Sequence, residues 1–288
     1  MIARLAVIGV GLIGGSLARA LRAADAVGEV VGCGRSAANL ERAVELGVID
    51  RYTHDPGEAV SRADMVFLAV PLGAMEGVFS AIRHHLDSGA VITDGGSVKG
   101  QVVAAARAAF GHVPPRLVPG HPIAGTEHSG VDASFAGLYR NRRVILTPLA
   151  ETSADAVDKV RRMWETCGAD VSCMAVAHHD EVLAATSHLP HMLAFGLVDA
   201  LARMRENDEI FRYAAGGFRD FTRIASSNPV MWRDICIANR EALGAMLADF
   251  SNEMADLADA IRRGDGDHLL EIFERAKEAR DRYVDGIE

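Results

Sequence analysis

The sequence predicts an α/β protein with a doubly wound, largely parallel sheet over residues 1–175, followed by an all-α domain over residues 176–288. Two observations predict this division. Short apolar runs alternate with helical patterns up to about residue 174, and glycine, proline and polar turn residues separate them. From Ala175 onwards the chain shows only helical periodicity. Alternating strands and helices are typical of a parallel sheet with helices on both faces.

The overall composition excludes several classes of protein. The chain has 288 residues, 49% of them hydrophobic, which is enough for two ordinary domains. Its net charge of -9 argues against a nucleic-acid-binding surface, which is normally basic. No apolar run reaches the roughly 18 residues of a membrane span, and the N-terminal segment lacks a signal-peptide pattern. The four cysteines form no CxxC motif, which suits a reducing compartment. From the charge, the apolar runs and the cysteines together we expect a cytoplasmic protein with neither nucleic-acid nor membrane partners.

The first element is a short apolar strand over residues 5–8, which leads directly into a glycine-rich turn and a helix. The turn has the pattern GxGxxG. Gly9 allows the tight turn, Gly11 lets a pyrophosphate approach the backbone, and Gly14 lets the helix pack closely. In this context the motif predicts a Rossmann-type dinucleotide-binding site, and the alternative is a glycine-rich turn without a ligand. The predicted cofactor-binding residues here are Gly9, Gly11, Leu12, Ile13 and Gly14.

The second strand covers residues 29–34 and is followed directly by Arg35 and Ser36. Sites that prefer NAD usually carry Asp or Glu at this point, whereas the first acid after this strand is Glu41. Arg35 would pair with a 2′-phosphate and stack on adenine, and Ser36 would add a hydroxyl donor. We therefore expect NADP to be favoured. NAD is the alternative if Arg35 is simply a solvated residue at a helix start.

The following elements continue the alternation. A buried strand over residues 64–71 ends in Val70 and Pro71, which we expect to lie over the cofactor. The next strand, residues 90–94, precedes Ser97, which is either a hydrogen-bonding residue of the active site or an ordinary helix N-cap. Lys99, in the first helical turn, is expected to be solvated, and contact with an anion is the alternative. Further strands are predicted over residues 142–148 and 170–174, and helices over residues 39–46, 101–110 and 154–167.

Residues 118–130 carry the strongest catalytic signal. Two prolines and three glycines predict an irregular loop rather than a helix or strand. The segment follows a short apolar strand, and loops at the carboxyl ends of strands carry function in α/β proteins. We predict His121 to be the catalytic base, because imidazole titrates near neutral pH. His128, further along the loop, is expected to be solvated.

Histidines recur at the start of the helical half. His178, His179, Asp180 and Glu181 open a helix, but adjacent helical residues point in different directions and make a poor ligand set. We therefore predict a solvated face there. Residues 186–191 interrupt the helical pattern at a proline flanked by His188 and His191. The freed backbone and kink at this proline would make room for a ligand, and one of the two histidines is expected to be a satisfied core histidine.

Two later features concern the substrate and the quaternary structure. Asp220 and Arg223 are three residues apart, so on a helix they would share a face, and the acid would orient an arginine that binds a substrate carboxylate. The alternative is an exposed ion pair. From the capping pair Asn228-Pro229, a helix without a strong breaker before Gly264 would span roughly 50 Å. With the apolar helix at residues 192–204, this length predicts an intertwined homodimer.

Together these segments resemble the prephenate/arogenate dehydrogenase family of tyrosine biosynthesis over almost the whole chain. The resemblance is carried by GVGLIGGS (9–16), DGGSVK (94–99), GHPIAGTE (120–127), SHLPH (187–191) and DFTRIA (220–225), with Trp232 downstream. It implies a dinucleotide-binding domain followed by a helical dimerisation domain like the C-terminal domain of 6-phosphogluconate dehydrogenase. It also implies oxidative decarboxylation of prephenate, arogenate or both, with hydride transfer to NAD(P) and no metal.

The resemblance further implies individual roles. His121 would take the proton of the substrate hydroxyl, with Ser97 in the same hydrogen-bonded cluster. Arg223 would hold a substrate carboxylate. The remaining implied substrate-site residues are His191, Trp232, Thr126, Glu127 and Asp220.

Two other functions are considered. A 6-phosphogluconate or β-hydroxyacid dehydrogenase would use a catalytic lysine in the second domain, but Lys159 and Lys277 lie in no matching motif. A dinucleotide-sensing regulator would not need His121, Ser97 and Arg223 together.

Overall fold

The computed structural model describes residues 1–126, 128–205 and 207–285. In this part of the chain the strands are β1 (Ile2–Ile8), β2 (Val27–Cys33), β3 (Arg51–Thr53), β4 (Met65–Leu68), β5 (Val91–Asp94), β6 (Leu117–Val118), β7 (Gly120–Pro122), β8 (Arg143–Leu146) and β9 (Asp170–Cys173). The helices are α1 (Leu12–Ala23), α2 (Ala37–Glu45), α3 (Pro56–Val60), α4 (Met75–Ile82), α5 (Lys99–Phe110), α6 (Ala154–Thr166), α7 (Val176–Leu183), α8 (Leu189–Ala202), α9 (Asn207–Arg212), α10 (Gly216–Thr222), α11 (Pro229–Ala238), α12 (Arg240–Arg263) and α13 (Gly266–Asp285). Short 3₁₀ segments cover Leu72–Ala74 and Arg223–Ser226, and a π-helical segment covers Ala184–His188.

Within the described residues, six strands form a parallel sheet in the order β3-β2-β1-β4-β5-β6. The strand order reverses at β1, which pairs with β2 on one side and β4 on the other. Such a switch point opens a crevice at the carboxyl ends of the strands, where dinucleotides bind. One core packs Leu17 of α1 and Trp164 of α6 against one face, and another packs Phe79 of α4 and Val102 of α5 against the other. The predicted doubly wound α/β fold is confirmed.

A second, smaller sheet contains the strands predicted over residues 142–148 and 170–174. In the described part of the chain it consists of β7, β8 and β9, with β7 antiparallel and β9 parallel to β8. These strands therefore do not extend the main sheet. The prediction of a wholly irregular loop over residues 118–130 is also wrong, because His121 pairs with Ile145 in the β7–β8 ladder. The candidate base is thus held on an ordered strand.

From Val176 onwards the described chain is helical, as predicted, but two boundaries differ. The π-helical segment Ala184–His188 joins α7 to α8, so the predicted break at residues 186–191 is a local widening of one helix. The predicted helix from Asn228 to Gly264 ends at Ala238 and restarts at Arg240. The break falls at Asn239, whose side chain is hydrogen-bonded inside the protein. At about 1.5 Å per residue, α12 spans roughly 36 Å rather than 50 Å.

The described chain divides into two compact units, one covering Met1–Arg240 and the other beginning at Glu241. In the first unit, Trp232 and Ile235 of α11 pack in the same core as α4 and α5. In the second, α12 and α13 are connected through Gly264, which has a φ of +69°, and the Nε2 atom of His268 lies 2.8 Å from Oδ2 of Asp256. The functional division into residues 1–175 and 176–288 remains a prediction. None of the described helices combines the length and apolar character needed to cross a membrane.

Candidate active site

The GxGxxG segment forms the predicted turn between β1 and α1. Gly9 has a φ of +98°, and a Cβ on it would lie 2.2 Å from the carbonyl oxygen of Ala69. A Cβ on Gly14 would lie 2.2 Å from the carbonyl oxygen of Gly9. A Cβ on Gly11, in contrast, would meet no atom of the described protein within 4 Å. Gly9 and Gly14 therefore permit close packing of the turn, and Gly11 keeps the backbone accessible to a pyrophosphate.

A cleft of about 560 Å³ opens beside this turn. The residues that line it are Gly9, Val10, Gly11, Gly34, Arg35, Ser36, Asn39, Leu40 and Ala69. Helix α1 begins without a side-chain cap and without an acidic residue in its first turn, so its first backbone N–H groups are available to a phosphate. Of the other predicted cofactor residues, Leu12, Ile13 and Val70 are half-buried and Pro71 is exposed. The cleft and the helix terminus fit a dinucleotide.

Arg35 and Ser36, predicted to recognise the adenosine ribose, lie in the lining of this cleft. Arg35 is exposed and forms no ion pair within the described residues. The Ser36 hydroxyl accepts a hydrogen bond from the Asn39 amide at 3.3 Å as the N-cap of α2, and its own O–H can still donate. Asn39, which the sequence did not single out, donates through Nδ2 to the Val10 carbonyl at 2.7 Å and so fixes the glycine-rich turn.

His121 is the end of a chain of buried polar groups. Its Nδ1 atom lies 2.9 Å from Nε2 of His179, whose Nδ1 atom lies 2.7 Å from Oδ1 of Asp180. Burial, reinforced by the charge of Lys99 and the neighbouring His179, holds the pKa of His121 well below its ordinary value. The imidazole is therefore neutral at neutral pH, which is the form that a general base requires.

The prediction of a solvated face at the start of α7 is wrong for its two middle residues. His178 and Glu181 are exposed, but His179 is fully buried and Asp180 is 9% exposed. The four side chains point in different directions around the helix, as expected. The directions of the middle two, His179 and Asp180, are the ones that face the protein interior, where Asp180 meets α5. The sequence gives only a weak signal that His179 and Asp180 are buried, because a run of two histidines and two acids is polar at every position and has no apolar face.

The Asp180 carboxylate caps α5. Its two oxygens accept hydrogen bonds from the backbone amides of Lys99 and Gly100, each at 2.8 Å. Ser97 is therefore not the N-cap of this helix, a position that Val98 occupies without a side-chain bond. The Ser97 hydroxyl is half-buried and has no hydrogen-bond partner in the described part of the chain. Its remaining predicted role is a contact with the substrate or the base.

Lys99 is completely buried, contrary to the prediction of a solvated residue. Its ammonium group donates to Oδ2 of Asp94 and to the carbonyl oxygen of Gly120, the residue before His121. Asp94 is also fully buried and accepts bonds from the amides of Gly96 at 2.8 Å and Gly120 at 3.1 Å. This ion pair thus attaches the strand carrying His121 to the carboxyl end of β5.

The π-helical segment and α11 supply a second group of aromatic side chains. His188 is buried, and its Nδ1 atom lies 3.0 Å from Nδ2 of Asn239, so this is the satisfied core histidine that was predicted. His191 stacks on Trp232 with ring centroids 3.6 Å apart and an interplanar angle of 20°. The Nδ1–H of His191 donates to the Ser187 carbonyl at 2.8 Å, which leaves Nε2 for another partner.

The predicted Asp220–Arg223 ion pair is not formed within the described residues. Asp220 is in α10, whereas Arg223 begins the 3₁₀ segment that follows it directly. Both side chains are exposed. Arg223 lies near enough to His191 to contribute to the lowering of its pKa, after the larger effect of burial. Its guanidinium group is therefore without a carboxylate partner beside the His191–Trp232 stack.

The loop after β7 carries the other predicted substrate residues. Thr126 is exposed, and its hydroxyl accepts a hydrogen bond from the His128 amide at 3.2 Å. Glu127 lies outside the described residues. Among the residues described, no group of His, Cys, Asp and Glu side chains is arranged to hold a metal ion.

Comparisons with known proteins decide the family. Residues 17–173 match the family model of the prephenate dehydrogenase nucleotide-binding domain, and residues 175–275 match that of the prephenate dehydrogenase dimerization domain. The chain belongs to the prephenate/arogenate dehydrogenase family. Membership makes it a dehydrogenase that uses a nicotinamide dinucleotide, and the matches favour this family over the 6-phosphogluconate-type dehydrogenase and the regulator considered above. The predicted activity, oxidative decarboxylation in tyrosine biosynthesis, is confirmed.

Individual members of the prephenate/arogenate dehydrogenase family are similar over the whole length. The cyclohexadienyl dehydrogenase of Zymomonas mobilis is 41% identical over 279 residues, covering 96% of this chain and 94% of the relative. The structure of prephenate dehydrogenase from Aquifex aeolicus, solved with hydroxyphenyl propionate and NAD+, superposes with a TM-score of 0.90 at 37% identity, covering 97% of this chain and 98% of that one. The arogenate dehydrogenase of Synechocystis superposes with a TM-score of 0.82 at 29% identity, covering 97% and 99%.

Proposed function

We propose that this family member oxidises prephenate, arogenate or both, with His121 as the general base. The observation that carries the assignment is the hydrogen bond at Nδ1 that holds the His121 imidazole on β7, since the ring then has Nε2 left for the substrate. Burial lowers the pKa of His121 and so favours the neutral ring that a base requires. A nicotinamide dinucleotide, when bound, accepts the hydride that leaves C4 of the cyclohexadienol ring. His121 takes the proton of the C4 hydroxyl, which becomes acidic as the hydride departs. The ring then loses CO₂ and becomes aromatic.

The substrate carboxylate is proposed to bind Arg223. The guanidinium has no carboxylate partner among the described residues, and a planar guanidinium pairs with a carboxylate through two parallel hydrogen bonds. His191 and Trp232 would form an aromatic wall of the same site, because their rings are stacked and Nε2 of His191 is left for a substrate oxygen. Ser97, Thr126, Glu127 and Asp220 remain proposed contacts.

The test of the base is His121→Asn, assayed by the absorbance of the reduced nicotinamide with saturating cofactor. We expect kcat to fall by at least about 10²-fold with little change in KM, because the proton acceptor is lost while substrate binding remains. His128→Asn is the matched control, since His128 is an exposed histidine of the following loop. Unchanged turnover in His121→Asn would remove His121 as the base.

The test of the carboxylate site is Arg223→Ala, with the exposed Arg212→Ala as control. We expect the Arg223 variant to raise KM more than it lowers kcat, since it removes a contact made before and during the reaction. A KM equal to that of the wild type would exclude this role. Assays of prephenate and arogenate in parallel measure which side chain, keto acid or amino acid, the site accepts.

We propose that the enzyme prefers NADP to NAD as its cofactor. Arg35 is exposed in the lining of the cleft and has no acidic partner among the residues that the structure describes, and such a residue attracts a 2′-phosphate. Arg35→Asp should shift the ratio of kcat/KM values from NADP towards NAD, whereas Arg35→Lys keeps the charge and should shift it less. Equal ratios in the wild type and Arg35→Asp would show that Arg35 does not recognise the phosphate.

We also propose a cytoplasmic homodimer in which residues 1–175 bind the dinucleotide and residues 176–288 form the dimer. The match of residues 175–275 to a dimerization-domain model supports this. So do the exposed apolar side chains of α12 and α13, which include Met254, Ile261, Leu270 and Phe273. Light scattering of the purified protein measures the oligomeric state, and a monomer at micromolar concentration would contradict the proposal.

A further inference from the structure

We propose that His179 and Asp180 are positioning residues that set the tautomer of His121 through two successive hydrogen bonds. The proposal rests on the role of His121 as the base. It concerns which of the two ring nitrogens of His121 carries the proton before the reaction, and therefore which nitrogen faces the substrate as an acceptor.

The first step is the state of the Asp180 carboxylate. Both of its oxygens accept hydrogen bonds from backbone amides at the N-terminus of α5, and a backbone N–H can only donate. Burial raises the pKa of Asp180, but the bonds from His179 and from the amides of Gly100 and Lys99 outweigh it and leave the pKa below its usual value. Asp180 is therefore an ionised carboxylate that can act only as an acceptor.

The second step is the tautomer of His179. Because Asp180 is an acceptor, the Nδ1 atom of His179, 2.7 Å from Oδ1, must carry a hydrogen. Nε2 of His179 lies 2.9 Å from Nδ1 of His121, and two N–H groups cannot donate to each other, so one of these two nitrogens carries no hydrogen. A neutral ring with a proton on Nδ1 has a lone pair on Nε2. Nε2 of His179 therefore accepts a hydrogen bond.

The third step concerns His121 itself. Since Nε2 of His179 accepts, the Nδ1 atom of His121, 2.9 Å away, must be the donor. The lone pair of the neutral His121 ring then lies on Nε2, the nitrogen that abstracts the substrate proton. Without the carboxylate, His179 could present either nitrogen as a donor, and part of the enzyme would hold His121 with its proton on the catalytic side.

Other charged groups around His121 do not provide this orientation. Lys99 of α5 and His188 of the π-helical segment disfavour its protonation, and Asp94 of β5 is paired with Lys99. Asp180 is thus the carboxylate that the hydrogen-bond chain connects to His121. When His121 takes the substrate proton, the negative charge of Asp180 also stabilises the positive charge that develops on the imidazole.

The experiment compares Asp180→Asn, His179→Gln and His179→Leu with the control Glu181→Gln, an exposed acid on the same helix. We expect Asp180→Asn and His179→Leu to lower kcat with little change in KM, by no more than the about 10²–10⁴-fold that a positioned general base contributes. His179→Gln keeps an acceptor oxygen for Nδ1–H of His121 and should retain more of kcat than His179→Leu. In Asp180→Asn the acidic limb of the pH–rate profile should move to lower pH, since the loss of a negative charge disfavours protonation of His121.

Two outcomes would overturn the proposal. One is equal kcat in His179→Gln and His179→Leu, which would leave only a packing role. The other is a wild-type kcat and pH profile in Asp180→Asn. If Asp180→Asn fails to fold because α5 loses its cap, the comparison of the two His179 variants decides. The outcome is separable from the proposed function, since loss of turnover in His121→Asn with unaffected His179 variants would retain the base and reject the tautomer relay.

Discussion

Replacement of Lys99 by Met should destabilise the protein and raise the pKa of the base at the same time. The side chain is completely buried, and its ammonium group bonds Asp94 and the carbonyl of Gly120. Met is similar in length and apolar, so the variant removes the charge while it largely fills the space. It leaves the buried carboxylate of Asp94 without a counter-ion.

The magnitude follows from the contacts that remain. Removal of one partner of a buried ion pair costs about 3–5 kcal/mol. Asp94 keeps two backbone donors, the amides of Gly96 and Gly120, so we expect a loss near the lower end, about 3 kcal/mol. For a folding unit of this size, each kcal/mol shifts Tm by about 2–4 °C, so Tm should fall by about 6–12 °C.

The assay combines thermal unfolding with the pH dependence of kcat. Burial and the charge of Lys99 both lower the pKa of His121, so removal of that charge should move the acidic limb of the profile to higher pH. Lys159→Met, on the exposed side of α6, is the control. The double variant Lys99→Met/Asp94→Asn should be more stable than Lys99→Met alone, because it leaves no buried charge unpaired. A Tm within about 2 °C of the wild type, or a double variant less stable than the single one, would refute the buried pair as a stabilising contact.

Three further predictions concern other parts of the first unit. Gly14→Ala should weaken dinucleotide binding at least about tenfold, because its Cβ would collide with the Gly9 carbonyl, whereas Gly73→Ala has open space and should not; calorimetric titration measures both. Burial lowers the pKa of His188 to about 4 from 6.5, so the unfolded chain takes up a proton that the folded chain refuses as pH falls below 6.5. His188 should therefore contribute about 2 kcal/mol less stability at pH 5 than at pH 7, so in urea unfolding His188→Gln should reduce the stability difference between these pH values by about that amount; an unchanged difference would exclude this contribution of His188. Asn228→Ala should cost about 1 kcal/mol by removing the cap of α11, and an unaltered Tm would contradict that.

Local signals predicted the dinucleotide half well. The glycine pattern at residues 9–14 predicts both its turn and its ligand class, because the spacing of its glycines is a local pattern and Gly14 packs against the carbonyl of Gly9 within the same turn. The packing of Gly9 against the carbonyl of Ala69, in contrast, is a contact between residues distant in sequence. The helix start at Asn228 was likewise predictable, since the cap bonds an amide only three residues away. The break at Asn239 was not, because its side chain is bonded to His188 and to the carbonyl of Asp180, both distant in sequence.

The sequence by itself determined the fold class, the family and the identity of His121 as the candidate base. Periodicity, turn residues and contiguous motifs are properties of neighbours along the chain, so they can be recognised without coordinates. Tertiary structure alone decided the surroundings of that base. Asp180 is 81 positions from Lys99, and His179 is 58 from His121, so no local pattern indicates that they bond. Burial is what changes their chemistry, because a polar group enclosed by the fold must pair with another polar group rather than with water.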